Sequence, residues 1–427
     1  MVFITKLSKF RQSLYHTYLR FHFYMTRMKE QGAGYVLKHL SYKFSILFLG
    51  LLFLPISLIL ACFGYRRVMF FNNRIGHLAI EPDILLKAQS LGLIEKKKWF
   101  VLAPKNLVAN SHLLFYWQPF FSIYQSEFAC FFLQCLSIWP FMRYDVSHFI
   151  NQDNSAQLSY KVYQMWGNQS PLLHLTNEDK AWGETQLKQL GLPSSAWFVG
   201  LHVREGGYSP IDESVHSHRN GNLEYLIPAI EEITKRGGWV IRLGDPSMMP
   251  LKPMPQVIDY AHHPLRSARL DIYLCARSRF ILGNTAGIFL VASIFGVPSA
   301  LANMIPMPTL GLLPTDLSIP KLFYLPHEKR YHTFPEVMQS PLSTYRYAPL
   351  YQKTNVEIVE NSPEDILLMT QEMLDRLEGK FVETEADAIL HQRYMSLFQP
   401  HHYSYGACSK VSFKFLRKYQ DLIEGQH

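Results

Sequence analysis

The stretch AWFVGLHVREGGYSP, residues 196–210, changes character within two residues. An apolar run from Trp197 to Leu201 reads as a buried strand. It then delivers His202, Arg204, Glu205 and the pair Gly206–Gly207. A second stretch, RFILGNTAGIFLVASIFG, does the same: an apolar strand runs into Gly283, Asn284, Thr285, Ala286 and Gly287, and then into a helix. A strand–turn–helix junction of small residues leaves backbone N–H groups at the helix start, and these, with the helix dipole, bind anions and phosphate above all. No Walker lysine follows, so the junction is not an NTPase P-loop. Arg204 supplies the complement, since its planar fork suits a bidentate contact with phosphate. An anion-binding helix start opposite an arginine is what a diphosphate needs.

Other strand ends carry polar residues too. GWVIRLGDP ends in Arg242, Gly244 and Asp245, and SALANM ends in Asn303. HSHRNGNLEYLIPAI places Arg219 and Asn220 just before a helix, where Asn220 or Asn222 could equally be the N-cap. Asp271 opens the helix leading to the third strand, as a cap or as a contact to a ribose or amine. Ligands of parallel α/β sheets sit beyond the carboxyl ends of the strands, so these positions are expected to share one rim. A general base is sought among His77 and Glu81, one helical turn apart, with Glu205 as a third candidate. Arg74 is a candidate contact for an anion.

The elements that must carry these residues alternate. Val68–Phe71 reads as a strand, His77 to about Ser90 as a helix, and Lys97–Pro104 as a second strand. From Trp197 a second series follows, with strands at Trp197–Val203, Trp239–Leu243, Phe280–Leu282 and Ser299–Leu301 and helices between them. Alternating strands and helices predict parallel sheets covered on both faces. The 427 residues, 48% hydrophobic and 18% charged, suffice for two folded domains and exclude a disordered chain. The expected organisation is an arm (1–43), a membrane segment (44–65), an N-terminal Rossmann-like domain (66–190), a C-terminal Rossmann-like domain (191–362) facing it across a cleft, and C-terminal helices (363–427).

The net charge of +8 is local. Residues 1–43 hold eight Lys/Arg against Glu30, which is +7 and leaves +1 for the rest. That distribution argues against a nucleic-acid partner. Phe3, Leu7, Phe10, Leu14, Tyr18, Phe21, Met25 and Met28 recur at helical spacing among the cations, as in a helix lying on an anionic membrane surface. Phe44–Phe63 then supplies 20 uncharged residues, enough to cross a bilayer core of roughly 30 Å. No cleavage pattern follows it, which speaks against a secretory leader. The basic arm places the catalytic domains in the cytoplasm. Arg66, Arg67 and Arg74 make the far flank basic as well, and Pro55 sits mid-segment, so a single span and a re-entrant hairpin both fit. Five cysteines without a CxxC pair predict free thiols, and the His216/His218, His262/His263 and His401/His402 doublets lack a metal-ligand set.

FNNRIGHLAIEPDILL, LHVREGGY, HRNGNLEYLIPAI, GGWVIRLGD, IDYA, LDIYLCARSRFILGNTAGIFLVASIFGVP and LAN together resemble a family of bacterial glycosyltransferases from surface-polysaccharide loci, over roughly residues 66–330. HVR and the GNTAG junction resemble, more distantly, the GDP-fucose-using fucosyltransferases. The resemblance implies a GT-B fold in which the N-terminal Rossmann-like domain takes the acceptor, whose hydroxyl the general base deprotonates and whose anionic form Arg74 would contact, and the C-terminal one binds the nucleotide sugar, with an inverting, metal-independent transfer without a cofactor. The nucleotide diphosphate sugar is the co-substrate, and GDP, UDP or another nucleotide is left open. It implies that Arg204 and the amides near Thr285, Ala286 and Gly287 neutralise the departing diphosphate, with Asn284 in the same turn. His202 then orients diphosphate or ribose, while Asp245 and Asn303 line the nucleoside or sugar pocket. Glu205-Gly206 departs from the fucosyltransferase pattern. The rival expectations are a nucleotide-sugar epimerase-like enzyme on the same fold and a non-catalytic nucleotide-sugar-binding membrane protein.

Overall fold

The computed structural model describes Gly32, Gly34 and residues 37–146, 149, 156–207 and 210–425. The periodic arm from Phe3 to Met28 lies outside these residues. The chain is α/β and forms two compact units, residues 1–148 and 149–427.

The first unit is built on four parallel strands in the order β3-β2-β1-β4: β1 Tyr65–Met69, β2 Lys98–Leu102, β3 Ser122–Tyr124 and β4 Arg143–Asp145. The strand order reverses between β1 and β4. Helix Ile75–Ser90 follows β1 and is buried along most of its length, from Gly76 through Ala88. A helix buried on all sides must satisfy every polar group internally. Asp83 and Lys87, both buried, pair at 2.8 Å one turn apart. Pro82 has no N–H to give the carbonyl of Leu78. Trp117 replaces it, its indole N–H donating to the Leu78 carbonyl at 2.9 Å.

Ahead of β1, among the described residues, no single helix is long and apolar enough to span a membrane. Helices Leu37–Leu52 and Leu54–Cys62 instead meet at a 65° bend beside Pro55. One side of this pair packs on helix Glu127–Leu136 and the turn after it. Ser57 donates to the Leu136 carbonyl at 2.8 Å, Trp139 Nε1 to the Gly50 carbonyl at 3.3 Å, and Phe53 stacks obliquely on Phe132. The other side leaves Phe44, Leu47, Phe48, Leu51, Ile59 and Phe63 exposed.

The second unit holds a seven-stranded, wholly parallel sheet in the order β14-β10-β9-β8-β5-β6-β7. Its strands are β5 Phe198–His202, β6 Trp239–Arg242, β7 Val257–Ile258, β8 Ile281–Gly283, β9 Ser299–Met304, β10 Leu317–Pro320 and β14 Lys410–Val411. β11 Leu322–Leu325, β12 Arg330–Tyr331 and β13 Glu357–Val359 form a small antiparallel sheet. Between β5 and β8 the order of the large sheet reverses: β5, β6 and β7 run one way, and β8 returns to the other side of β5. The central strands are buried on both faces, as a parallel sheet requires.

One expected boundary moves. Helix Asn177–Gln189 belongs to the second unit, where the sequence reading ended the first domain at 190. Arg269 pairs with Asp179 at 2.6 Å and Glu178 at 2.8 Å, and Gly183 lets the Tyr273 ring lie against the helix. The C-terminal helices after 362 pack into this unit. Ile366, Met369, Met373 and Leu374 join the main core, and β14 pairs with β10.

The Pro82–Trp117 relation predicts a specific double-mutant result. Trp117→Phe leaves the buried Leu78 carbonyl without a donor and should cost about 1–3 kcal/mol in urea unfolding. Pro82→Ala restores a helical N–H, so adding it to Trp117→Phe should recover much of that loss. Independent, additive effects of the two changes would refute the compensation.

Candidate functional site

In the second unit the site is assembled at the reversal between β5 and β8. Asn284, 3% exposed, sits just past β8. Its Oδ1 accepts from the Arg204 backbone N–H at 2.9 Å, and its Nδ2 donates to the Arg219 carbonyl at 3.1 Å. One side chain thus joins the end of β5, the end of β8 and the 216–222 loop. Arg219 Nη2 donates to the Thr285 carbonyl at 2.6 Å. Arg204 Nη1 donates to the His216 carbonyl at 3.0 Å and to Asn220 Oδ1, and Asn220 Nδ2 donates to Glu213 at 2.8 Å. Among the described residues no side chain caps helix Gly287–Ile294, whose N-cap is Ala286. The Thr285 hydroxyl beside it is buried without a hydrogen-bond partner among the described residues. The helix start with the Arg219 guanidinium on the Thr285 carbonyl, and Arg204 tied by its backbone to the Asn284 of the same turn, make a candidate anion cradle.

Glycines make the close approach possible. A Cβ on Gly283 would press on the His202 carbonyl, and one on Gly207 on the Ser247 carbonyl. The His202 ring lies 3.0 Å from the Leu243 carbonyl through Nδ1, which selects the Nδ1–H tautomer and leaves Nε2 as an acceptor. Burial lowers its pKa and keeps the ring neutral.

Several expectations change. Glu205 is engaged by the fold rather than free for the base role: Oε1 is 2.7 Å from Nη2 of Arg242, which is fully buried, and Oε2 accepts from the Met249 N–H at 2.8 Å. Its charge is spent on a desolvated arginine. Asn303 is buried, adopts the left-handed backbone region (φ 56°), and exchanges two backbone–side-chain hydrogen bonds with Asn361 at 2.6 and 2.7 Å. Asparagine tolerates that backbone geometry, so the residue type there is explained by the fold. Asp245 organises its own turn, accepting from Ser247 N at 2.9 Å with Arg266 at 3.8 Å. Asp271 accepts from Tyr260 Oη at 2.9 Å, and burial raises its pKa. Asn222, not Asn220, caps the following turn.

Lys321 was not singled out from the sequence. It is buried, donates to the Asn220 carbonyl at 2.7 Å, and lies 3.8 Å from Glu360. Its signal was a lone cation in the apolar run SIPKLFY. His216 stacks on Tyr347 and His218 lies against Tyr351. Burial, with the Arg219 charge next, pushes their pKa values down to about 4 and about 2, so both are neutral.

In the first unit His77 and Glu81 meet, with Nδ1 2.6 Å from Oε1. The Phe71 N–H donates to Glu81 Oε2 at 3.3 Å, and the Phe71 ring meets the imidazole edge-on. Glu81 is fully buried and His77 partly exposed, so the imidazole is the group a ligand could reach. Burial raises the Glu81 pKa, opposed by the histidine hydrogen bond. Arg74 is exposed at the N-cap of the same helix. The five cysteines are free thiols.

No family model matches the sequence, and no curated protein matches it. Solved structures share distant likeness. The glycosyl transferase family 9 protein of Veillonella parvula DSM 2008 is 12% identical with a TM-score of 0.34, over 72% of this chain and 80% of that one. The iron-containing dodecameric glycosyltransferase TibC of enterotoxigenic E. coli H10407 is 12% identical with a TM-score of 0.30, over 56% and 58%. The UDP-GlcNAc 2-epimerase of Methanocaldococcus jannaschii, in complex with UDP-GlcNAc and UDP, is 13% identical with a TM-score of 0.23, over 56% and 70%. Likeness this distant decides nothing about substrate, which must be argued from the residues.

The Glu205–Arg242 pair predicts that Glu205→Ala lowers the unfolding free energy by about 3 kcal/mol, the lower end for stripping a partner from a buried charge, because Glu205 keeps some exposure. Urea unfolding of the full chain measures it. Undiminished stability with lost activity would return Glu205 to the chemistry.

Proposed function

We propose that the chain is a membrane-associated glycosyltransferase. It moves a sugar from a nucleotide diphosphate sugar to a glycan or glycolipid acceptor in surface-polysaccharide synthesis. The observation that carries the reading is the cradle at the β5/β8 reversal, where Arg204, Arg219 and the uncapped helix start at Ala286–Gly287 converge. Negative charge grows on the departing diphosphate during transfer, and donors already fixed in place stabilise it without reorganisation. His202 Nε2, neutral, accepts a hydroxyl of the ribose or sugar. His77 takes the acceptor's proton, and Glu81 is a positioning residue that holds the ring in the Nδ1–H tautomer. The transfer is inverting and needs no metal, since the cations of the cradle do the electrostatic work. The bent helix pair lies in one leaflet with its exposed leucines and phenylalanines in the acyl region, the basic arm on the lipid surface and both units in the cytoplasm.

Thermal shift against GDP, UDP, ADP and CMP tests the donor site. At least one nucleoside diphosphate should raise the melting temperature, and Arg204→Ala should abolish the rise. No shift with any nucleotide would sink the reading. His77→Ala should keep nucleotide binding and slow release of nucleoside diphosphate from the matching sugar nucleotide to acceptor by about 10²–10⁴-fold. Full activity in that variant would remove His77 from the chemistry. For the membrane, Leu47→Glu with Leu51→Glu should move the protein from the membrane to the soluble fraction with its melting temperature intact. Retention of the double variant in the membrane would contradict the leaflet placement.

A further inference from the structure

The first unit contains a cavity of about 240 Å³ between helix Glu127–Leu136 and the carboxyl halves of β1 and β2. Asn72, Leu107, Cys130 and Gln134 line it together with strand backbone, and Arg67 is the single charged side chain in its wall. The Arg67 Nε is buried without a hydrogen-bond partner, and no carboxylate pairs with the guanidinium, among the described residues. Its partner across the sheet is another cation: Arg67 on β1 stands opposite Arg143 on β4. Burial first, and that like charge second, pull the Arg67 pKa down to about 10, so it stays charged at neutral pH. Arg143 is exposed and donates Nε to the Ser137 carbonyl, so it is Arg67, facing the cavity beside a like charge, that an anion in the cavity would answer. The fork of Arg67 and the amides of Asn72 and Gln134 suit a tetrahedral oxyanion.

The cavity wall also says where such an anion comes from. Helix Glu127–Leu136 turns Cys130 and Gln134 inward and Phe128, 80% exposed, outward. Gln134 accepts from Tyr42 at 3.1 Å, which ties the wall to helix Leu37–Leu52 and its exposed apolar side. A polar pocket at the edge of an apolar surface matches the headgroup depth of a lipid. We infer that the Arg67 cavity binds the phosphate of a membrane lipid. On the transferase reading, and resting on it, that lipid is the acceptor, so the acceptor class is a phosphate-bearing lipid.

The test uses the full chain with sedimentation on vesicles of phosphatidylcholine, with and without phosphatidic acid, and thermal shift with inorganic phosphate. Phosphatidic acid should tighten binding of the wild type by about tenfold, the scale of one charge-assisted guanidinium–phosphate contact. Arg67→Gln should lose that gain and keep its binding to phosphatidylcholine alone. Leu107→Trp fills the cavity from a half-exposed position, keeps every charge and should lose the gain too, which separates the pocket from attraction by the basic arm. A gain that survives Leu107→Trp overturns the site. Phosphate binding that needs Arg67 without any phosphatidic acid effect overturns the lipid source. Nucleotide thermal shifts in the same variants report on the donor site separately, so failure of the transferase reading is seen independently.

Discussion

Between β5 and β8 the connections of a parallel sheet leave toward opposite faces, so no helix covers the carboxyl ends of the two strands there. The backbone groups at that gap need partners from side chains. Asn284 provides them: one amide accepts from the Arg204 N–H and donates to the Arg219 carbonyl. Both arginines are placed through their own backbone rather than by the flexible ends of their side chains. Arg219 then reaches back to the Thr285 carbonyl, on the same turn that Asn284 belongs to. The loop is closed on itself, and Gly283 is where β8 can pass close enough to the His202 carbonyl for this to happen. A cation cradle assembled before any ligand arrives is the arrangement that lowers a barrier, because little ordering is left for the moment of reaction.

The first unit solves a related problem with different groups. Its strand order reverses between β1 and β4, and the helix after β1 is buried on nearly every side. Such a helix has no solvent to satisfy its polar atoms. Asp83 and Lys87 pair with each other, and Trp117 answers the carbonyl that Pro82 leaves open. Glu81 is held in the same way, by the Phe71 N–H and by His77. Full burial takes Glu81 out of reach of any ligand and leaves His77 as the exposed member of the pair. The division of labour, buried carboxylate and accessible imidazole, is a consequence of where the helix sits.

Much of this was legible in the residues. An apolar strand breaking into HVREGG or GNTAG marks a rim, and the structure brings His202, Arg204, Arg219, Asn220, Asn284 and Thr285 to one place. The i,i+4 spacing of His77 and Glu81 put them together correctly. What the sequence hid was partnership over distance. Nothing near Glu205 announces that Arg242, 37 residues on, is fully buried and needs it. Nothing near Asn303 announces Asn361. β10 and β14 are short pieces whose strand character comes only from neighbours they meet on folding, and helix Asn177–Gln189 joins the second unit through ion pairs with a segment 90 residues away.

Arginine shows most sharply what residue type alone leaves undecided. Arg67, Arg204 and Arg242 each sit in or at the end of an apolar strand, and a sequence reader has equal reason to suspect all three. Arg242 has Glu205 and Asp259 at 2.7 and 3.5 Å, so its charge is balanced inside the protein and is structural. Arg204 lies 3.9 Å from Glu213 and donates to the His216 carbonyl and to Asn220 Oδ1, so the 213–220 segment holds its guanidinium in place. Arg67 faces another arginine across the sheet. Burial of a cation is costly unless its charge is answered, and the three residues differ in how closely a carboxylate answers it. Glu205 at 2.7 Å makes Arg242 part of the fold, whereas the Arg67 guanidinium has no carboxylate partner among the described residues. Partners, not residue type, separate a structural arginine from a candidate anion contact.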